Sequence, residues 1–200
     1  MAFKVVDEFE KRVADFAGAE YGVAVMNATC GLFLACKYRE IEGQTVSVPA
    51  RTYPGVAMSI VNAGGWVDFN NKKWKGIYEL FPIEIYDSAL RFRRGMYIEN
   101  SLYVLSFALK KLLPIGRGGM ILTDNKDAYE WLKKARFDGR TEGVPLNKDN
   151  YNMIGWNMYM APPEAARGLW LFDMIKDKRL KDIDPDTQGY PDLSKFPIFK

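Results

Sequence analysis

The chain of 200 residues contains no histidine, which removes every Ser-His and Cys-His hydrolase mechanism and the commonest metal ligand. Its only cysteines are Cys30 and Cys36, close together in a segment patterned as a helix. Neither a zinc site nor a disulfide framework is supported, and both read as buried thiols. No run approaches the roughly 18 uninterrupted apolar residues of a membrane span. The N-terminus lacks the charged, apolar and small-residue succession of a signal peptide, so a cytoplasmic protein without membrane contact is expected. Charge of one sign is scarce as well. A net charge of +3 is too small to argue for nucleic acid, although Arg91, Arg93 and Arg94, and again Arg136 and Arg140, form local clusters. Such clusters read as solvated faces or as contacts to a substrate diphosphate.

What is present is a hydrophobic fraction of 48%, enough for one well-buried core. Residues 1–175 read as a single compact domain and 176–200 as a short polar C-terminal tail. Val6, Phe9, Val13 and Phe16 recur at helical spacing and stop at Gly18, which predicts an amphipathic helix. Short β-rich runs near Gly22, Thr45, Trp66, Ile83, Leu102 and Met120 alternate with helical segments. That alternation predicts an α/β fold: a mixed, mostly parallel sheet with helices on both faces. Ligands of such sheets bind at the carboxyl ends of strands, where Asn27, Tyr53, Asp87 and Ser106 all fall.

The most informative segment is Ser106-Phe107-Ala108-Leu109-Lys110-Lys111, followed by residues 112–115 and then Gly116-Arg117-Gly118-Gly119. It holds one lysine between a strand end and a glycine turn. A lysine amine is mostly protonated at neutral pH and attacks an aldehyde only where burial or nearby cations depress its pKa. A solvated pair, Lys110 and Lys111, is the plainer alternative. Upstream, Asn27-Ala28-Thr29 opens a helix after the strand 22–25 and offers an anion site of free N–H groups, or an ordinary N-cap. Strand 45–48 leads into Pro49-Ala50-Arg51-Thr52-Tyr53. An apolar strand ends in Asp87-Ser88-Ala89-Leu90. Downstream stands Gly155-Trp156-Asn157-Met158-Tyr159-Met160, then Glu164-Ala165-Ala166-Arg167-Gly168-Leu169.

Taken in order, these segments resemble the DegT/StrS-type sugar aminotransferases, pyridoxal-phosphate (PLP) enzymes of fold type I. The family pattern S-F-x-x-x-K, four residues, G-E-G-G aligns its Schiff-base lysine with Lys111, not Lys110. The resemblance implies PLP as cofactor, with Asp87 paired to the protonated pyridine nitrogen so that the ring draws electrons from the substrate carbon. It further implies that Tyr53 stacks on the ring and that Ala28, Thr29 and Ser106 hold the phosphate. Asn157 would reach the phosphate in a partner subunit, which makes the active unit a homodimer. The implied reaction moves an amino group, with glutamate as the expected donor, onto a keto sugar of a nucleotide-sugar.

This chain departs from the pattern at Leu90, where the family has Gln or His, at Arg117 for Glu, and at Tyr159 for Arg. Between Val67-Asp68 and the Asp-bearing strand only residues 69–82 intervene, too few for at least one helix-strand unit of the family, and its small C-terminal domain is expected to be largely absent. Two other readings stay open: a catalytically degenerate binding or regulatory protein on the PLP fold, and a sugar dehydratase on the same fold. The second ranks last, because such dehydratases typically place a histidine at the lysine position.

Overall fold

A computed structural model describes residues 3–199. The first helix, α1 (Lys4–Ala17), buries Val6, Phe9, Val13 and Phe16, as their spacing predicts. It ends at Gly18, whose φ of +86° is the left-handed conformation that releases a chain from a helix. Strand β1 (Tyr21–Val25) follows, then α2 (Ala28–Tyr38), whose first turn is capped by the Asn27 side chain accepting from Cys30 N at 2.8 Å. Next come β2 (Thr45–Pro49), α3 (Pro54–Asn62), β3 (Trp66–Asn70), β4 (Tyr78–Leu80), β5 (Ile85–Asp87), β6 (Leu102–Ser106), β7 (Gly119–Thr123), α4 (Lys126–Ala135) and α5 (Pro162–Ile175). Among the described residues, no helix is long and apolar enough to cross a membrane.

Five strands form one ladder in the order β1-β7-β6-β5-β4, and β2 and β3 form a second, parallel one. Ser47 of β2 and Phe81, just past β4, exchange two backbone hydrogen bonds of 2.8 and 3.1 Å, so β4 lies between β5 and β2. The sheet is mixed, as expected, but most of its neighbouring strand pairs are antiparallel, because the two reversed strands lie between others. Strands β1, β2, β3, β5 and β6 run one way, while β4 and β7 oppose them. The sequence gives no sign of β4, and its reversal has a steric cause. A parallel strand there would need a crossover of a dozen or more residues, whereas a short turn suffices to pair β4 antiparallel with β5.

Alternation along the strands separates two cores. Val23, Val25, Ile85, Val104 and Ile121 pack with α2, α3 and α4, whereas Ala24, Tyr103, Leu105, Met120 and Leu122 pack with α1 and α5. Helices therefore cover both faces. Cys36 is fully buried in the first core, and burial pushes its thiol up to about 12. Cys30 is only half-buried.

The arginine clusters are solvated faces only in part: Arg93 and Arg94 are exposed, whereas Arg91, Arg136 and Arg140 are not. Arg136 is fully buried. Its guanidinium donates to Glu10 of α1 and to the carbonyl of Ala24, and at 2.8 Å to Glu142. Lys133 lies 3.1 Å from both carboxylates. Arg94 sits over the Phe16 ring, and Arg91 pairs with Asp182 at 2.7 Å. That last pair pins down the segment beyond α5. Ile183 N donates to the carbonyl of Leu90, Leu193 N donates to that of Ala50, and the Leu193 side chain is buried.

Candidate functional site

Strands β1, β2, β5 and β6 all end on the same edge of the sheet, and their ends carry the site. Asp87, the last residue of β5, is 4% exposed. One carboxylate oxygen accepts from the Tyr78 hydroxyl and the other from Ala89 N, each at 2.9 Å. Tyr78 gives its single proton to Asp87, so the 2.5 Å contact between Tyr78 and Thr52 has the threonine hydroxyl as donor. Burial pushes Asp87 above the usual carboxylate range. The Ala89 N–H, the Tyr78 hydroxyl and the charge of Lys111 pull it back.

The adjacent lysines occupy different environments: Lys110 is exposed and Lys111 half-buried. Burial holds the Lys111 ammonium below the ordinary lysine value, opposed by the charge of Asp87. Its position depends on the glycine turn. Gly116 and Gly118 take φ of +119° and +151°, and their bonds to Phe107, Gly116 N to Phe107 O and Phe107 N to Gly118 O, fold the loop back onto the end of β6. Lys111 lines a cavity of about 540 Å³ with Tyr53, Pro54, Gly116 and Tyr190.

On the α2 side, helix geometry leaves the first N–H groups without intrahelical partners. Asn27 satisfies Cys30, which leaves Ala28 and Thr29 as donors. Two glycines keep this corner open. A Cβ on Gly55 would fall 2.6 Å from Thr29 Oγ1 and 2.7 Å from the Tyr53 ring, and one on Gly119 would fall 2.6 Å from Ala28 N. Arg117 reaches the same region: its guanidinium lies 2.7 Å from Met26 Sδ, and while burial pushes the Cys30 thiol up, the Asn27 side chain and the charge of Arg117 pull part of that back.

Tyr53, 56% exposed, stands at the cavity mouth. Ser106 ends β6 opposite Gly119. Leu90 is fully buried, so its side chain serves the core. Of the residues expected in the site, Tyr53 and Lys111 line the cavity, whereas Ala28, Thr29, Asp87, Ser106 and Asn157 do not; Asn157 is exposed and donates to Asp138 at 2.9 Å. Its neighbour Met158 accepts from Met26 N beside the end of β1. Tyr159 packs edge-on against Phe3 and Phe137.

Three residues of the site escape sequence reasoning. Tyr78 and Thr52 reach Asp87 only through the pairing of β4 with β5, where Tyr78 stands directly opposite Asp87. Tyr190 comes from the tail, and burial with the charges of Asp87 and Tyr53 pushes its hydroxyl up to about 12. An aromatic between glycine and proline in a polar stretch was its only signal.

A depressed lysine, a buried carboxylate that can accept a further donor, and free N–H groups at a helix start fit the aldehyde, ring nitrogen and phosphate of PLP. The first 75 residues bear directly on this fit, because residues 2–75 match the DegT/DnrJ/EryC1/StrS aminotransferase family. The first third of the chain is thus similar to that family.

The chain is 24% identical to GDP-perosamine synthase of Caulobacter vibrioides, over 87% of this chain and 58% of that protein. It is 23% identical to the spore coat polysaccharide biosynthesis protein SpsC of Bacillus subtilis, over 89% of this chain and 59% of that protein. Among solved structures it matches a DegT DnrJ EryC1 StrS aminotransferase from Brucella abortus with a TM-score of 0.71 at 20% identity, covering 87% of this chain and 59% of the other. DesI in the presence of its TDP-sugar product matches with a TM-score of 0.70 at 20% identity, covering 94% and 62%. The fold is that of the PLP fold type I aminotransferases. The chain spans about three fifths of the length of these relatives.

Proposed function

We propose that residues 1–175 form the cofactor-binding domain of a PLP-dependent aminotransferase, with 176–200 as a short tail. It transfers an amino group, with glutamate as donor, to a keto sugar carried on a nucleotide, and it works as a cytoplasmic homodimer. The observation that carries this reading is the half-buried Lys111, its ammonium depressed by burial, within electrostatic reach of the buried Asp87 at the carboxyl edge of the sheet. The substrate class rests on the names of relatives, a GDP-perosamine synthase and a protein solved with a TDP-sugar product.

When bound, PLP supplies an electron-accepting ring next to the substrate carbon. The chain supplies the rest. Burial raises the neutral fraction of the Lys111 amine at neutral pH, which makes Nζ a nucleophile toward an aldehyde and then a base that moves a proton to and from the substrate carbon. Asp87, oriented by Tyr78 and Ala89, keeps a positive charge at the ring nitrogen. Ala28 and Thr29 N–H groups with the Thr29 and Ser106 hydroxyls bind the phosphate dianion, joined by Asn157 of a second copy. Tyr53 covers the ring face.

The test is an absorbance spectrum of the purified protein with PLP. The band of lysine-bound cofactor is expected in the wild type and in Lys110→Ala, and not in Lys111→Ala. A band that survives loss of Lys111 overturns the assignment. Added glutamate should then release 2-oxoglutarate without any sugar. Leu90 and Arg117 favour a second reading, a PLP-fold binding protein without turnover, and a wild type that binds PLP yet releases no oxo acid with any donor decides for it.

A further inference from the structure

Beside the Lys111 cavity lies a second one of about 680 Å³, which none of the roles above uses. One wall is the stretch after β3 that stands where a helix-strand unit does not fit, with Lys72, Lys73, Trp74 and Lys75. The other is the tail, from Asp184 to Tyr190. The three lysines are exposed, and among the described residues none of them forms an ion pair. Arg51 adds a fourth cation to the lining. The facing carboxylates are Asp184 and Asp186, and Asp184 already accepts from Asp186 N. Positive charge thus exceeds negative around a partly open cleft of small-ligand size.

Two flat rings complete the cavity. Trp74, its indole fixed by a 3.1 Å bond from Nε1 to the carbonyl of Arg51, lies nearly parallel to Tyr190, at 14° with centroids 6.4 Å apart. Tyr190 lines both cavities, so the two adjoin at its ring. Cations suit phosphates, rings suit a base, and the shared wall suits a substrate whose reacting part must reach the amine.

We infer that this cavity seats the nucleoside diphosphate of the substrate, with Lys72, Lys73 and Lys75 on the phosphates and Trp74 and Tyr190 against the planar base. The inference rests on the aminotransferase reading, because only there does the nucleotide carry a reacting sugar.

The test titrates GDP, UDP and dTDP, with inorganic pyrophosphate for comparison, into the wild-type chain by calorimetry, and records the PLP absorbance band on the same samples. At least one nucleoside diphosphate should bind roughly tenfold more tightly than pyrophosphate, and its affinity should fall as salt is raised. The triple variant Lys72→Gln/Lys73→Gln/Lys75→Gln should lose about tenfold or more in that affinity while keeping the PLP band, because these side chains lie on the exposed surface. Trp74→Leu should erase the preference over pyrophosphate. Absence of binding by all three nucleotides, or an undiminished affinity in the triple variant, overturns the inference. If the PLP band is intact in that case, the aminotransferase reading stands. Nucleotide binding that depends on the lysines in a protein with no band at Lys111 supports the cavity and overturns the reading of Lys111.

Discussion

Asp87 is placed at a cost to the cofactor-free protein. A carboxylate whose folded pKa is raised releases its proton later in the folded chain than in the unfolded one. Stability therefore falls as pH rises from the unfolded value of about 3.9 through the folded value, and stays lower above it. Asp87→Asn removes that charge and retains polar partners for Tyr78 and Ala89. The variant should melt higher at neutral pH. The difference should vanish below about pH 4. The same variant should bind PLP yet lose most of the glutamate half-reaction, since an amide cannot hold a positive ring nitrogen. Scanning calorimetry across pH checks the first outcome, and release of 2-oxoglutarate the second. Lys111 and Asp87 are legible in the sequence because each belongs to a local motif. Tyr78 and Thr52 are not, because their contact with Asp87 exists only once β4 is folded against β5.

At the scale of elements, α1 is legible from its spacing and its glycine stop, whereas β4 is three residues long and gives alternation too little length to register. The tie between α1, β1 and α4 is hidden for another reason. Arg136 sits among charged neighbours that look like surface, and only the packing of α4 brings it to Glu10 and the carbonyl of Ala24. Removing one member of such a buried set leaves an uncompensated charge. Arg136→Met should cost about 3–5 kcal/mol in urea unfolding, while the double variant Glu10→Gln/Arg136→Met should recover a large part of that loss. Equal costs in the single and double variants would mean that the pair matters through shape and not through charge.

For the molecule as a whole, the fold class is legible from the alternation of strands and helices, and the direction of most strands with it. The folded-back tail is not, because its anchors at Asp182, Tyr190 and Leu193 are scattered singly through a polar stretch. Assembly is the prediction that belongs to this scale. Light scattering should find a dimer when PLP is bound, and Asn157→Ala should weaken PLP affinity about tenfold without changing the measured mass, the loss expected for one charge-assisted hydrogen bond. A PLP-bound monomer would remove the cross-subunit role.

The wedge of β4 between β5 and β2 has a mechanical side. Backbone pairing between the two ladders narrows there to the single exchange of Ser47 with Phe81, and the candidate site straddles that seam. Tyr53 and Arg51 ride with β2 and β3, and Lys111 and Asp87 ride with the five-stranded ladder. The Thr52–Tyr78–Asp87 chain of hydrogen bonds is a strut across that seam. A proton gained or lost at Asp87 is therefore felt on its other side, at Thr52 and at the aromatic ring that follows it.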